Sequence, residues 1–187
     1  MSVRFASLDL DPQELARRAA SLTPAELARA ERLRRPIDRD RAIARRAILR
    51  EMVAAELGME AADVPLTTSP SGHPELAGDL PVDISVSSSG GMGAFAVGPR
   101  YERVGVDIEA VDRPELDTID PALFLDAEEI AMLPPPGPER RQALLTAWTL
   151  KEALAKALGV GLAFGPDGKS LMWCDEKGAI HLIDLTG

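Results

Sequence analysis

"VGVDIEAV", residues 104–111, sets two carboxylates two positions apart inside an apolar, β-branched run. Such a run reads as a buried strand, and alternation along a strand sends Asp107 and Glu109 to one face. Burying either charge alone is costly, so something cationic is expected to meet them. Upstream, "PVDISVSSSGG" (81–91) and "GAFAVGPRYER" (93–103) supply two more short strands, separated by Ser/Gly and Gly-Pro turns. Val82, Ile84 and Val86 are expected to face one way, and Asp83, Ser85 and Ser87 the other. Downstream, the helical pattern is strongest from Pro138 to Leu158, with Ala147, Leu150, Leu154, Ala157 and Leu158 as its apolar stripe and Gly159 ending it.

The flanks complete an α+β pattern, not an alternating βαβ one. "VRFASLDL" (3–10) alternates as a strand, and "TPAELARAERLRR" (23–35) opens with a Thr23 cap, Pro24 and Glu26 in capping-box spacing. A second helix is expected from about Asp38 to Leu57, stopped by Gly58. On it Ile43, Ala47 and Met52 fall near one stripe and Arg39, Arg46 and Arg50 on another. "TTSPSGHPELAGDLP" (67–81) reads as a long loop, and "DAEEIAML" (126–133) as a short helix capped by Asp126 and Glu129. The tail "KSLMWCDEKGAIHLIDL" (169–185) reads as a closing hairpin around Glu176 to Gly178. Division into an N-terminal half, 1–99, and a C-terminal half, 100–187, is expected.

With 187 residues, 45% of them hydrophobic, the chain can bury a core as one domain or two small joined halves. No apolar run approaches the roughly 18 residues of a membrane span, and the N-terminus lacks signal-peptide features, so a cytoplasmic protein without a membrane partner is expected. The single Cys174 excludes an internal disulfide. With only His73 and His181, and no G-x-S-x-G turn, a Ser-His-Asp hydrolase is not expected. The net charge is −9, yet residues 29–50 hold nine Arg against Glu31, Asp38 and Asp40. That window carries +6 and the remainder −15. Arg grips phosphate by paired hydrogen bonds, so the segment is either a polyanion site or a solvated helix face. Aromatics at 4% leave little for bases to stack on, which argues against nucleic acid.

Within "WTLKEALAK" (148–156), Trp148, Glu152 and Lys156 stand four apart on one helix face, away from Leu150 and Leu154. A Glu to Lys pair at this spacing is commonly a surface ion pair, and two acids on an exposed edge strand need no function. Together, however, Asp107, Glu109 and Glu152 could supply hard oxygen ligands for Mg²⁺, and Lys156 with the Arg-rich helix could offset a diphosphate. That combination suits transfer of a phosphate-linked group.

"VGVDIE" followed some forty residues later by "WTLKEALAKALGVGL" resembles the paired signature of the Sfp-type 4′-phosphopantetheinyl transferases. "ELARAERLRR" and "DRDRAIARRAILR" are similar to that family's Arg-rich N-terminal helices, and "GHP" (72–74) stands where the family usually has Gly-Lys-Pro. The resemblance covers roughly residues 20 to 165. It implies two similar α+β halves in a pseudo-twofold arrangement, with the active site in the cleft between them. It further implies that the phosphopantetheine arm of coenzyme A moves onto a serine of an apo carrier protein, with Mg²⁺ required and adenosine 3′,5′-bisphosphate released, by a protein acting as a monomer.

Carried onto this chain, the resemblance implies that Asp107, Glu109 and Glu152 hold the metal, that Glu152 also takes the serine proton, and that Lys156 stabilises the leaving phosphate. Arg46 and Arg32 would hold nucleotide phosphate, His73 and Ser85 would lie on the coenzyme A side, and Glu128, after Phe124, would support the metal acids. Two departures stand out. Val86 occupies the position of a histidine that usually contacts the 3′-phosphate, and His73 replaces a lysine. An acidic carrier is expected to dock on the Arg-rich helices. The alternatives are a degenerate homologue that binds carrier or nucleotide without catalysis, and a metal-dependent phosphodiesterase using the same acids.

Overall fold

The computed structural model describes residues 1–69, 72–112 and 119–159, and the strand segments 163–164, 170–174 and 180–184. The chain divides into two compact units, Met1–Val104 and Gly105–Gly187.

The first unit comprises β1 (Ser2–Ser7), α1 (Pro12–Ala19), α2 (Pro24–Glu31), α3 (Pro36–Leu57), β2 (Leu66–Thr68), β3 (Pro74–Leu76), β4 (Val82–Ser89) and β5 (Met92–Pro99). Strands β1, β5 and β4 form an antiparallel sheet in that order, with Ile84 opposite Val97 and Val86 opposite Phe95. Their apolar face meets α3, where Ile48, Leu49 and Val53 join Leu8, Phe95 and Val97 in the core. Ile84 and Val86 pack against that core, as the alternation requires. The predicted caps are in place. Thr23 and Glu26 make a reciprocal capping box on α2, and Gly58 ends α3 in the left-handed conformation.

Three features differ from the expectations. Helix α1 was not predicted, although Asp11 caps it through Gln13 and Glu14 and Pro12 occupies its first turn. The expected loop 67–81 contains the antiparallel pair β2–β3. Arg50, placed by spacing on an arginine face, is among the most buried side chains of the unit. Its guanidinium is fully satisfied in this setting: it pairs with Glu26 and donates to the carbonyls of Ala61, Ala62 and Val64. Hydrogen bonds of this kind allow a buried charge that apolar packing would reject.

Glu26 is the hub of that interior. It accepts from the Thr23 backbone, from Arg46 and from Arg50. Burial raises its carboxyl pKa, but the Thr23 N–H, Arg46 and Arg50 together outweigh burial and hold it below the ordinary value of 4.5. A carboxylate whose pKa is depressed by folding adds stability that is present above the ordinary value and lost as pH falls through the folded one. The thermal midpoint should therefore hold level from neutrality to about pH 5 and drop below that. Glu26→Gln should lower the neutral midpoint and flatten the acid limb; an unchanged acid limb would remove Glu26 from this role.

The second unit holds α4 (Ala127–Ala131), α5 (Pro138–Leu158), β6 (Ala163–Phe164), β7 (Ser170–Cys174) and β8 (Ile180–Asp184), the strands forming an antiparallel sheet in that order. The turn expected around Glu176 to Gly178 lies outside the described residues. Asp126 and Glu129 cap α4 reciprocally, and α5 runs between Pro138 and Gly159 as its punctuation predicts. Its buried side is centred on Trp148, not on Leu150 and Leu154, although Ala147 of the expected stripe does pack against the core. Leu144, Leu145, Trp148 and Ala155 are buried, whereas Leu150 and Leu154 are 65% and 45% exposed. Trp148 meets the edge of Phe124 at a centroid distance of 5.2 Å and 79° between planes, the favoured T-shaped geometry. The face bearing Trp148, Glu152 and Lys156 is thus the inner face.

Candidate active site

The segment that carries the acids is not part of a described strand. Where a third strand was expected, the chain packs directly on α5 at Gly105. Val104 and Val106 are buried, in keeping with the alternation. Gly105 explains the approach. A Cβ at this position would lie 2.7 Å from the Ala157 nitrogen, 2.9 Å from the Ala153 carbonyl carbon, and closer still to the Ala153 oxygen. All three are backbone atoms of α5, which cannot turn aside as a side chain would. Only glycine lets the segment lie this close to the helix.

Two residues further on, Asp107 meets Lys156. The Lys156 Nζ donates to Asp107 Oδ1 at 2.7 Å, with the Asp107 side chain 4% exposed and the lysine 19% exposed. The cation demanded by an acid in an apolar run is therefore supplied by α5, one residue before Ala157, which walls in Gly105. Glu152 lies one turn before Lys156 on the same helix, partly buried, and Glu129 on α4 pairs with Lys151 at 2.8 Å. Glu128 is exposed on α4.

Asp107, Glu109 and Glu152 are hard oxygen donors of the kind Mg²⁺ takes. In position they are not gathered: among the described residues, no group of three or more His, Cys, Asp or Glu side chains could hold a metal ion. Three uncompensated carboxylates repel one another, and the lysine ammonium already neutralises Asp107. The donor set fits such an ion in kind, without forming a ready-made cage.

The first unit contains the remaining residues singled out in the sequence. Arg46 is engaged internally, its Nε on Glu26 at 2.5 Å and its Nη2 on the carbonyls of Leu66 and Thr67. Arg32 caps the end of α2 and is exposed, as is His73, while Ser85 on β4 is buried. Two residues that sequence reasoning left aside also stand out, one in each unit. Arg45 Nη1 donates to Ser88 Oγ at 3.0 Å, and Gly105 has the steric role just described. A glycine between two buried valines was the available signal for the latter.

A family model described as the 4′-phosphopantetheinyl transferase superfamily matches residues 103–184, beginning two residues before Gly105. A phosphopantetheinyl transferase of Thraustochytrium sp. is 31% identical over 186 residues, which cover 92% of this chain and 64% of that protein. The 4′-phosphopantetheinyl transferase HetI of Nostoc sp. is 34% identical over 163 residues, covering 83% and 67%. The chain belongs to the 4′-phosphopantetheinyl transferase superfamily. A further relative, from Synechocystis sp., is 30% identical over 154 residues, 78% of this chain and 60% of that protein. The chain thus spans about two thirds of the length of the curated relatives it matches. Among the described residues of this superfamily member, no helix is long and apolar enough to cross a membrane.

Proposed function

We propose that this protein moves the 4′-phosphopantetheine arm of coenzyme A onto a serine hydroxyl of an apo carrier protein, with Mg²⁺ as its cofactor. The observation that supports this most directly is the Asp107–Lys156 pair, held against α5 by the glycine contact, within the segment that the superfamily model matches. Glu152 accepts the serine proton, the serine oxygen bonds to the pantetheine phosphorus, and the diphosphate bridge breaks to release adenosine 3′,5′-bisphosphate. Lys156 donates to the departing phosphate oxygen, which gains charge as the bridge breaks. Asp107, Glu109 and Glu152 would hold Mg²⁺, which when bound neutralises diphosphate charge. Two similar halves related by a pseudo-twofold, and action as a cytoplasmic monomer, belong to the same proposal and rest on the family.

Incubation with coenzyme A, Mg²⁺ and an apo carrier protein should raise the carrier's mass by one phosphopantetheine arm. No gain with any of several carriers would overturn the proposal. A chelator should abolish the gain and added Mg²⁺ restore it. Transfer that persists through chelation would remove the metal from the reaction while leaving the transferase standing.

A further inference from the structure

The turn that leads into the acidic segment holds a residue in a conformation it disfavours. After β5 the chain makes a 3₁₀ turn over Arg100–Glu102, and Arg103 follows at φ 47° and ψ 114°. Among the described residues, Arg103 is the one residue other than glycine with a positive φ. An L side chain there crowds the following carbonyl, and this ψ lies outside even the small left-handed well near about +30° to +60°. Such a residue persists where its surroundings over-determine it.

The determinants lie on both sides of Arg103. Upstream, the Arg100 N–H donates to the Pro81 carbonyl at 2.9 Å and ties the turn to the chain just before β4. Downstream, the Val104 N–H donates to Asp83 Oδ2 at 2.9 Å. That N–H lies in the planar peptide joining Arg103 to Val104, so whatever holds its direction also holds ψ of Arg103. Asp83 is itself fixed, because its Oδ1 accepts from the Ile84 N–H at 2.9 Å. Two N–H donors meeting one side chain require two acceptor oxygens, which a carboxylate has and a carboxamide lacks. Gly98, opposite Asp83 in the β4–β5 register, leaves room for the Val104 side chain: a Cβ there would stand 2.7 Å from Val104 Cγ1.

We propose that Asp83 is a positioning residue: through the Val104 N–H it keeps Arg103 in its strained conformation and fixes the direction in which the chain enters the segment bearing Asp107 and Glu109. Asp107 stands three residues after Val104, so a peptide that turns over between Arg103 and Val104 redirects the chain that carries the acid. The link to the reaction rests on the metal role given to Asp107 and Glu109 above; the hold on Arg103 does not.

Amide hydrogen exchange, and Mn²⁺ titration in the presence of coenzyme A, test the two parts separately. Asp83→Ala should speed exchange at Val104 by about tenfold or more, the equivalent of one hydrogen bond to a charged group. Asp83→Asn, which keeps one acceptor and the size of the side chain, should speed it less. Arg103→Gly should raise the thermal midpoint, whereas Arg103→Ala, which keeps the crowding Cβ, should not. Bound Mn²⁺, followed through the paramagnetic resonance signal of the free ion, should weaken by about tenfold in Asp83→Ala, the lower end of what residues behind a metal ligand contribute. Asp83→Asn should show the same change in smaller measure and decides the matter if the alanine variant does not fold. A wild-type protein that binds no Mn²⁺ would defeat the metal role and the positioning with it, leaving the exchange result to decide the hold on Arg103. Exchange at Val104 that ignores both substitutions, or Mn²⁺ affinity unchanged despite faster exchange, would overturn the role of Asp83 while the transferase stands.

Discussion

Gly105→Ala should disable the second unit, through sterics alone. The added methyl would meet the backbone of α5 at Ala153 and Ala157, so either the extended segment or the helix must retreat. Overpacking against side chains costs about 1–3 kcal/mol, and backbone neighbours put this case at the upper end or beyond. In a unit of this size that corresponds to a fall in thermal midpoint on the order of 10 °C or more. Retreat also draws Asp107 away from Lys156, so transfer should fall even where the variant remains folded. Gly98→Ala is the matched control. A Cβ there would meet the side chains of Val104 and Met1, which can rotate, and its cost should be clearly smaller. Equal midpoints for Gly105→Ala and the wild-type protein would show that the close approach is not what holds the acidic segment in place.

Glu152→Gln should leave the fold intact and reduce transfer by at least about a hundredfold, the lower end of what a positioned general base contributes. Glutamine keeps the size and hydrogen-bonding reach of the side chain on the inner face of α5 but cannot accept the serine proton. The decisive comparison is single-turnover mass transfer to the carrier at saturating coenzyme A, alongside the thermal midpoint. A structural role would shift the midpoint with little change in the chemical step. The proposed role lowers the rate of the chemical step and leaves the midpoint in place. A glutamine variant working within a few-fold of wild type would transfer the base role to another group.

Much of the fold was legible because its helix ends are set locally. Thr23, Pro24 and Glu26, Asp126 and Glu129, and Pro138 with Gly159 each fix a terminus through capping or backbone conformation. What was less legible depends on partners distant in sequence. Helix α5 carries two apolar stripes, and packing with Phe124, Leu125 and their neighbours turns the Trp148 side inward while Leu150 and Leu154 face out. Arg50 looks like any surface arginine until Glu26 and three carbonyls converge on it. The acidic run shows strand-like alternation because both its valines are buried, yet between them Gly105 lies against a helix backbone. In the candidate site, the partner of Asp107 could be narrowed to a cation from burial energetics alone; that the cation is Lys156 required the glycine contact, which sets the register of segment against helix.

That internal pairing bears on the resting life of the molecule. Because Asp107 carries its own counterion from the same unit, the protein can be synthesised, folded and kept in reserve where divalent ions are scarce, without an uncompensated charge prising the acidic segment from its helix.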